Sequence, residues 1–153
     1  MTTNDNFKQT LFLFCQTFVE DRIARIQKGI SSIQEAMFSE TKSSAGDKHE
    51  TGRAMLQLER EKLGQQLSEI EKVRQILYKV PTENKAAIIG LGSLVKTSQA
   101  YYYLAISAGE FKGKKPSVFC ISSATPIGRL LVGKSVADVV VFNGQEIKIL
   151  EIE

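Results

Sequence analysis

Apolar positions at the start of the chain recur at steps of four and three. They run Phe7, Leu11, Phe14, Phe18 and then, after a shift of one residue, Val19, Ile23, Ile26, Ile30, Ile33, Met37. This is a heptad seam with one stutter, and it predicts a long helix. A second seam follows a polar stretch, at Leu56, Leu63, Leu67, Ile70, Val73 and Leu77, with Glu59, Arg60, Glu61, Lys62, Glu69, Glu71 and Lys72 on the outer positions. Gly29 and Gly64 are isolated interior glycines, each costing about 1 kcal/mol relative to alanine. Pro81 comes only where the second helix should stop. Two seams joined by a short polar connection predict an antiparallel coiled-coil hairpin over residues 1–80. Each arm of about 30 residues would measure roughly 45 Å at the helical rise, so the hairpin is expected to protrude and to need support at its base.

Beyond Pro81 the period changes. Residues 86–91, 94–97, 100–106 and 118–121 are rich in Tyr, Val, Ile and Phe and predict strands. Residues 139–142 and 146–152 flank Asn143-Gly144, a strong hairpin signal because both turn residues tolerate positive φ. Between these groups, Thr125-Pro126 opens and Gly133 closes one short helix, with a hydroxyl cap, proline in the first turn and glycine past the end. The expected architecture is α+β, the hairpin being followed over 81–153 by a small antiparallel sheet with one short helix.

Composition narrows the chemistry. A 42% hydrophobic and 24% charged chain of 153 residues is ordinary for a folded soluble protein. The apolar run 11–15 is far short of the ~20 residues a spanning helix needs. No basic segment or cleavage site brackets it, so the expectation is a cytoplasmic protein with no membrane contact. A net charge of +3, spread over both halves, is too small to mark a nucleic-acid groove. A single histidine, His49, disfavours zinc hydrolases and most histidine-based dyads. Cys15 and Cys120 lie far apart inside apolar runs and read as buried reduced thiols, not as a disulfide framework or a metal site. The basic loop Lys112-Gly113-Lys114-Lys115 reads as a solvated turn, with phosphate contact as the alternative.

The run Ile121-Ser122-Ser123-Ala124-Thr125-Pro126-Ile127-Gly128-Arg129-Leu130-Leu131-Val132-Gly133-Lys134, followed by Asp138-Val139-Val140-Val141, resembles the C-terminal domain of the bacterial transcript cleavage factors GreA and GreB. Their pattern is Ser-Pro-Ile-Ala-Arg-x-Leu-x-Gly-Lys and a following Asp-Val-Val strand. The resemblance implies an N-terminal coiled-coil hairpin joined to an FKBP-like domain. It also implies that the hairpin enters the secondary channel of RNA polymerase, and that Ser123, Thr125, Pro126 and Arg129 mark the neighbourhood of a docking surface. Thr125 and Pro126 are equally explained as a helix start.

The connection near 43–51 reads Ser43-Ser44-Ala45-Gly46-Asp47-Lys48-His49-Glu50-Thr51 and resembles the family's Gly-Asp-x-x-Glu tip. The resemblance places Asp47 and Glu50 as the two acidic residues that help hold a magnesium ion shared with the polymerase, at the 3′ end of backtracked nascent RNA. Two carboxylates are too few to bind magnesium stably alone, so no cofactor is expected on the free chain. The same pair also fits a capping box, in which both groups serve the helix N-terminus. The chain departs from the family after Glu50, with Thr51-Gly52-Arg53-Ala54 replacing the usual Asn-Ala-Glu-Tyr. Arg53 reads as a solvated cation or as a contact to RNA or polymerase.

The leading expectation is therefore an accessory elongation factor that stimulates the polymerase's own RNA cleavage and is not itself an enzyme. Alternatives are a non-cleaving channel regulator, a coiled-coil interaction module and, from domain shape alone, a prolyl isomerase. The charged outer positions of both arms predict a monomer.

Overall fold

The computed structural model describes the backbone of residues 3–42, 47–82, 86–113 and 116–153, and the side chains of these other than 3–6 and 41–49. The chain forms two compact units, Val19–Arg74 and Met1–Phe18 with Gln75–Glu153. The boundary in the first helix falls between Phe18 and Val19, but the expected one-residue shift there is not seen: the buried line runs Leu11, Cys15, Val19, Ile23 and Ile26, and Phe7, Phe14 and Phe18 are half-buried beside it.

Helices α1 (Thr3–Lys42) and α2 (Asp47–Tyr78) follow the two seams. Within the Val19–Arg74 unit they run antiparallel, because α1 partners recede along α2 as α1 advances. Glu20 meets Arg74 at 3.4 Å, Gly29 faces Leu63, and the Glu40 carboxylate lies over Gly52. Val19, Ile23, Ile26 and Ile33 of α1 are buried with Ile70 of α2, while Leu56, Leu63 and Leu67 are half-buried. Gly29 has a packing reason: a Cβ there would stand 3.1 Å from a Leu63 methyl.

The other unit contains a six-stranded sheet of β1 (Leu94–Thr97), β2 (Tyr101–Leu104), β3 (Gly109–Phe111), β4 (Val118–Ile121), β5 (Val139–Phe142) and β6 (Gln145–Ile152), with α3 (Pro126–Leu131) between β4 and β5. The strand order is β3-β4-β2-β1-β6-β5. The sheet is mixed, which corrects the expectation of an antiparallel one. β4 inserts between β2 and β3, so it pairs parallel with β2 (Tyr103 opposite Cys120) and antiparallel with β3 (Phe111 opposite Val118). The insertion follows a turn in which Ala105 and Ala108 donate backbone hydrogen bonds to Ile121 and Cys120, with Gly109 at φ 87°.

The expected strand over 86–91 does not form. Ile88 makes one isolated bridge to Ser135, Ile89 is buried, and the chain then turns. Ser93 donates to the Gly90 carbonyl, and Gly92 sits at φ +89° with room for no side chain, since a Cβ would lie 2.8 Å from the Pro81 carbonyl oxygen. The glycines of Gly90-Leu91-Gly92 favour a turn over a ladder. The β5–β6 hairpin turns at Asn143 (φ 52°) and Gly144 (φ 78°), both in the left-handed region as expected.

The sheet buries residues on both faces. One face carries the main core: Ile89, Val95, Leu104, Ile127, Leu131, Val140, Ile147 and Ile149. On the opposite face Leu94, Tyr103, Val118 and Cys120 are buried. There the start of α1 reaches β3, with Phe14 edge-on to Phe111 at a centroid distance of 5.3 Å and Phe7 at 5.9 Å. No described helix is long and apolar enough to cross a membrane.

Candidate functional site

The sequence singles out two groups of residues, and each falls in a different unit. In the hairpin unit, residues 43–46 and the side chains of Asp47 and His49 lie outside the described residues. α2 begins at Asp47, Glu50 is exposed in its first turn, and Arg53 is exposed one turn later. Gly52 is half-buried because the Glu40 carboxylate covers it, at 3.8 Å from where a Cβ would stand. That is an ordinary contact distance, so a side chain would fit and nothing in this contact requires glycine there. Glu40 itself is a tip-proximal carboxylate that the sequence reading did not select, and the only signal for it was its position near the end of the first seam. Among the described residues, no three His, Cys, Asp or Glu side chains converge as a metal site.

In the sheet unit, Ser123, Thr125, Pro126 and Arg129 gather at α3. Thr125 is the N-cap, with extended backbone at φ −69° and ψ 158°, and Pro126 occupies the first turn. The Thr125 hydroxyl donates to the Ser122 carbonyl at 2.7 Å and accepts from the Gly128 amide at 3.1 Å. Both of its polar functions are committed to the fold. A Cβ at Gly128 would collide with the Ser122 carbonyl, so the cap closes tightly on a glycine. Ser123, Pro126 and Arg129 are exposed and present the outer side of this turn. The geometry thus assigns Thr125 to shaping the turn and leaves the other three available to a partner.

A charged cluster that sequence reasoning missed lies on β1 and β6. Lys96 Nζ stands 3.1 Å from Glu153 Oε1 and 3.3 Å from Glu151 Oε2, and 5.7 Å from the Tyr101 ring centroid. Burial lowers the Lys96 pKa, but the bonds and charges of Glu153 and Glu151 outweigh it, so the net shift is upward. Burial holds the Glu153 carboxyl above its ordinary range. Glu151 opposite Lys96 follows from the antiparallel register of β1 and β6. The burial of Glu153 had no sequence signal.

Compared with known proteins, the sequence matches no family model and no curated protein.

Proposed function

We propose that the protein is a transcription elongation factor that binds RNA polymerase through its secondary channel and stimulates cleavage of backtracked nascent RNA. The observation that carries this reading is the exposed Glu50 carboxylate in the first turn of α2, at the joined end of an antiparallel helical pair. The 121–134 run and its resemblance to GreA and GreB support it. In this reading the sheet unit is an FKBP-like docking domain, the chain is a cytoplasmic monomer, and the polymerase performs the chemistry.

Carboxylate oxygens are the hard ligands that magnesium takes, and Glu50 with Asp47 supplies fewer than an octahedral ion requires. That donor set fits an ion shared with the polymerase. When bound, magnesium would lower the pKa of the attacking water and offset charge on the phosphate. Asp47 and Glu50 would contribute ligand oxygens, and Arg53 a positive charge beside the RNA backbone. Ser123, Pro126 and Arg129 would meet the channel rim, and Thr125 would hold their turn in shape. The reading is tested on a purified elongation complex stalled by backtracking. Adding the protein with magnesium should shorten the RNA from its 3′ end, and binding without shortening would make the protein a non-cleaving channel regulator.

One observation favours a second reading, a coiled-coil interaction module. Phe38, Met55 and Leu58 in the hairpin unit are each more than 60% exposed, at 62%, 66% and 66%. Apolar side chains so placed are the kind that a partner helix covers. Light scattering separates the two, since a stable dimer across this unit contradicts entry of the hairpin into a channel.

A further inference from the structure

The sheet ends in an uncharged strand. β5 lies last in the strand order, with β6 as its strand neighbour. The Ile149 amide donates to the Asp138 carbonyl at 2.9 Å, and Phe142 and Gln145 face each other across the two-residue turn. Hydrogen-bonded pairs alternate along an antiparallel ladder, so Asp138, Val140 and Phe142 turn their backbone groups to β6, while Val139 and Val141 turn theirs to the open edge. Among the described residues neither valine makes a backbone hydrogen bond outside the ladder. Their side chains are 50% and 59% exposed, and Val140 between them is buried in the main core on the other face. Residues 139–142 are Val-Val-Val-Phe, without the charge or proline that commonly keeps sheet edges apart.

This edge is complementary to itself. When two copies run antiparallel about Val140, Val139 of each stands opposite Val141 of the other, and every outward N–H of these valines meets a carbonyl oxygen. Their side chains then form one apolar patch across the junction. On β6, Lys148 pairs with Val139 and Glu146 with Val141, and both charged residues are exposed. Each row of exposed side chains crossing the junction therefore runs Lys148, Val139, then Val141 and Glu146 of the second copy, with opposite charges at its ends. Those ends are three strand spacings apart, roughly 14 Å between Cα atoms, a span that a lysine and a glutamate can close by leaning over the valines. A parallel pairing turns one sheet over and sets its core face beside the other's exposed face, losing both matches.

We propose that β5 is a self-association edge, through which two copies of this chain pair antiparallel into one continuous sheet. A strand of four residues buries little surface, so the pairing is weak and rises with concentration. The single chain remains the form that acts in the function proposed above. The charged positions that predict a monomer lie on the helices and take no part in this edge.

The test follows the full chain by analytical ultracentrifugation over a concentration series, with amide exchange read residue by residue by NMR. A reversible monomer–dimer equilibrium should appear. The Val139 and Val141 amides should exchange freely in dilute protein and become protected as the dimer fills. Val141→Pro removes an outward N–H without touching the β6 ladder and should abolish the dimer. Where that variant does not fold, Lys148→Glu serves: it puts negative charge at both ends of each row and should weaken the dimer severalfold, and adding Glu146→Lys should restore it. The proposal is overturned if the chain stays monomeric at millimolar concentration or if a dimer leaves the Val139 and Val141 amides freely exchanging. It is equally overturned if folded Val141→Pro still dimerises, if the charge reversal changes nothing, or if those amides become protected only when a different protein is added.

Discussion

The hairpin unit and the sheet unit bury apolar side chains in different geometries. In Val19–Arg74 burial follows a single line: Val19, Ile23, Ile26 and Ile33 against α2, with Ile70 buried and much of the remaining α2 seam half-covered. In the other unit residues from 89 to 149 meet in one cluster on one face of the sheet, and the opposite face is buried as well along β1, β2 and β4, while β5 and β6 leave Val139, Val141 and Leu150 exposed. A seam one residue wide can be read from a local repeat, because each helical turn repeats the same contact. A two-sided sheet cannot, because its neighbours are fixed by pairing between distant segments. In the proposed function the difference also separates roles: the hairpin unit, with less to bury, would devote its end to exposed chemistry, while the sheet unit supplies the thicker core.

The sharpest way to break this comparison is a truncation in the thicker core. Leu104 is fully buried within the main cluster, so Leu104→Ala should cost about 2–5 kcal/mol in chemical denaturation. Leu63→Ala, in the half-buried seam, should cost clearly less. Equal losses would mean that the hairpin seam is as tightly packed as the sheet core.

Gly92→Ala comes next. Its φ of +89° and the nearby Pro81 carbonyl should make this small change cost on the order of 1–3 kcal/mol, read by the shift in denaturation midpoint. Thr125→Ala should follow at about 1 kcal/mol through loss of the cap, and Thr125→Ser should recover most of it. If Thr125→Ser restored stability but weakened polymerase binding, the threonine methyl would belong to the docking surface.

The smallest effect is one of pH. The Lys96 pKa is raised in the folded chain, so its ion pairs stabilise the fold fully below the ordinary lysine value of 10.5 and are lost as pH rises through the folded value. Alkaline titration of stability should therefore fall in that range, and Lys96→Met should flatten the fall.

Several features were legible because they are local. The Thr125-Pro126 helix start and the Asn143-Gly144 turn each depend on neighbours within a few residues. The misses share the opposite property. β3 spans three residues that include glycine and glutamate, too short for an alternating pattern. The parallel β2–β4 pairing and the Lys96–Glu153 contact both join segments whose proximity no local period encodes. Of the candidate site, the exposure of Glu50 and Arg53 and the capping role of Thr125 could be read in advance. The commitment of the Thr125 hydroxyl to both Ser122 and Gly128, and the placement of Glu40 over Gly52, needed three-dimensional contacts.

The most direct measurement is RNA cleavage in a backtracked elongation complex, with polymerase binding followed in parallel for the wild type, Asp47→Ala and Glu50→Ala. The account predicts that the wild type shortens the transcript in magnesium and that each alanine variant binds but leaves the RNA largely intact. Undiminished cleavage by both variants, or no association of the wild type with polymerase, would contradict it.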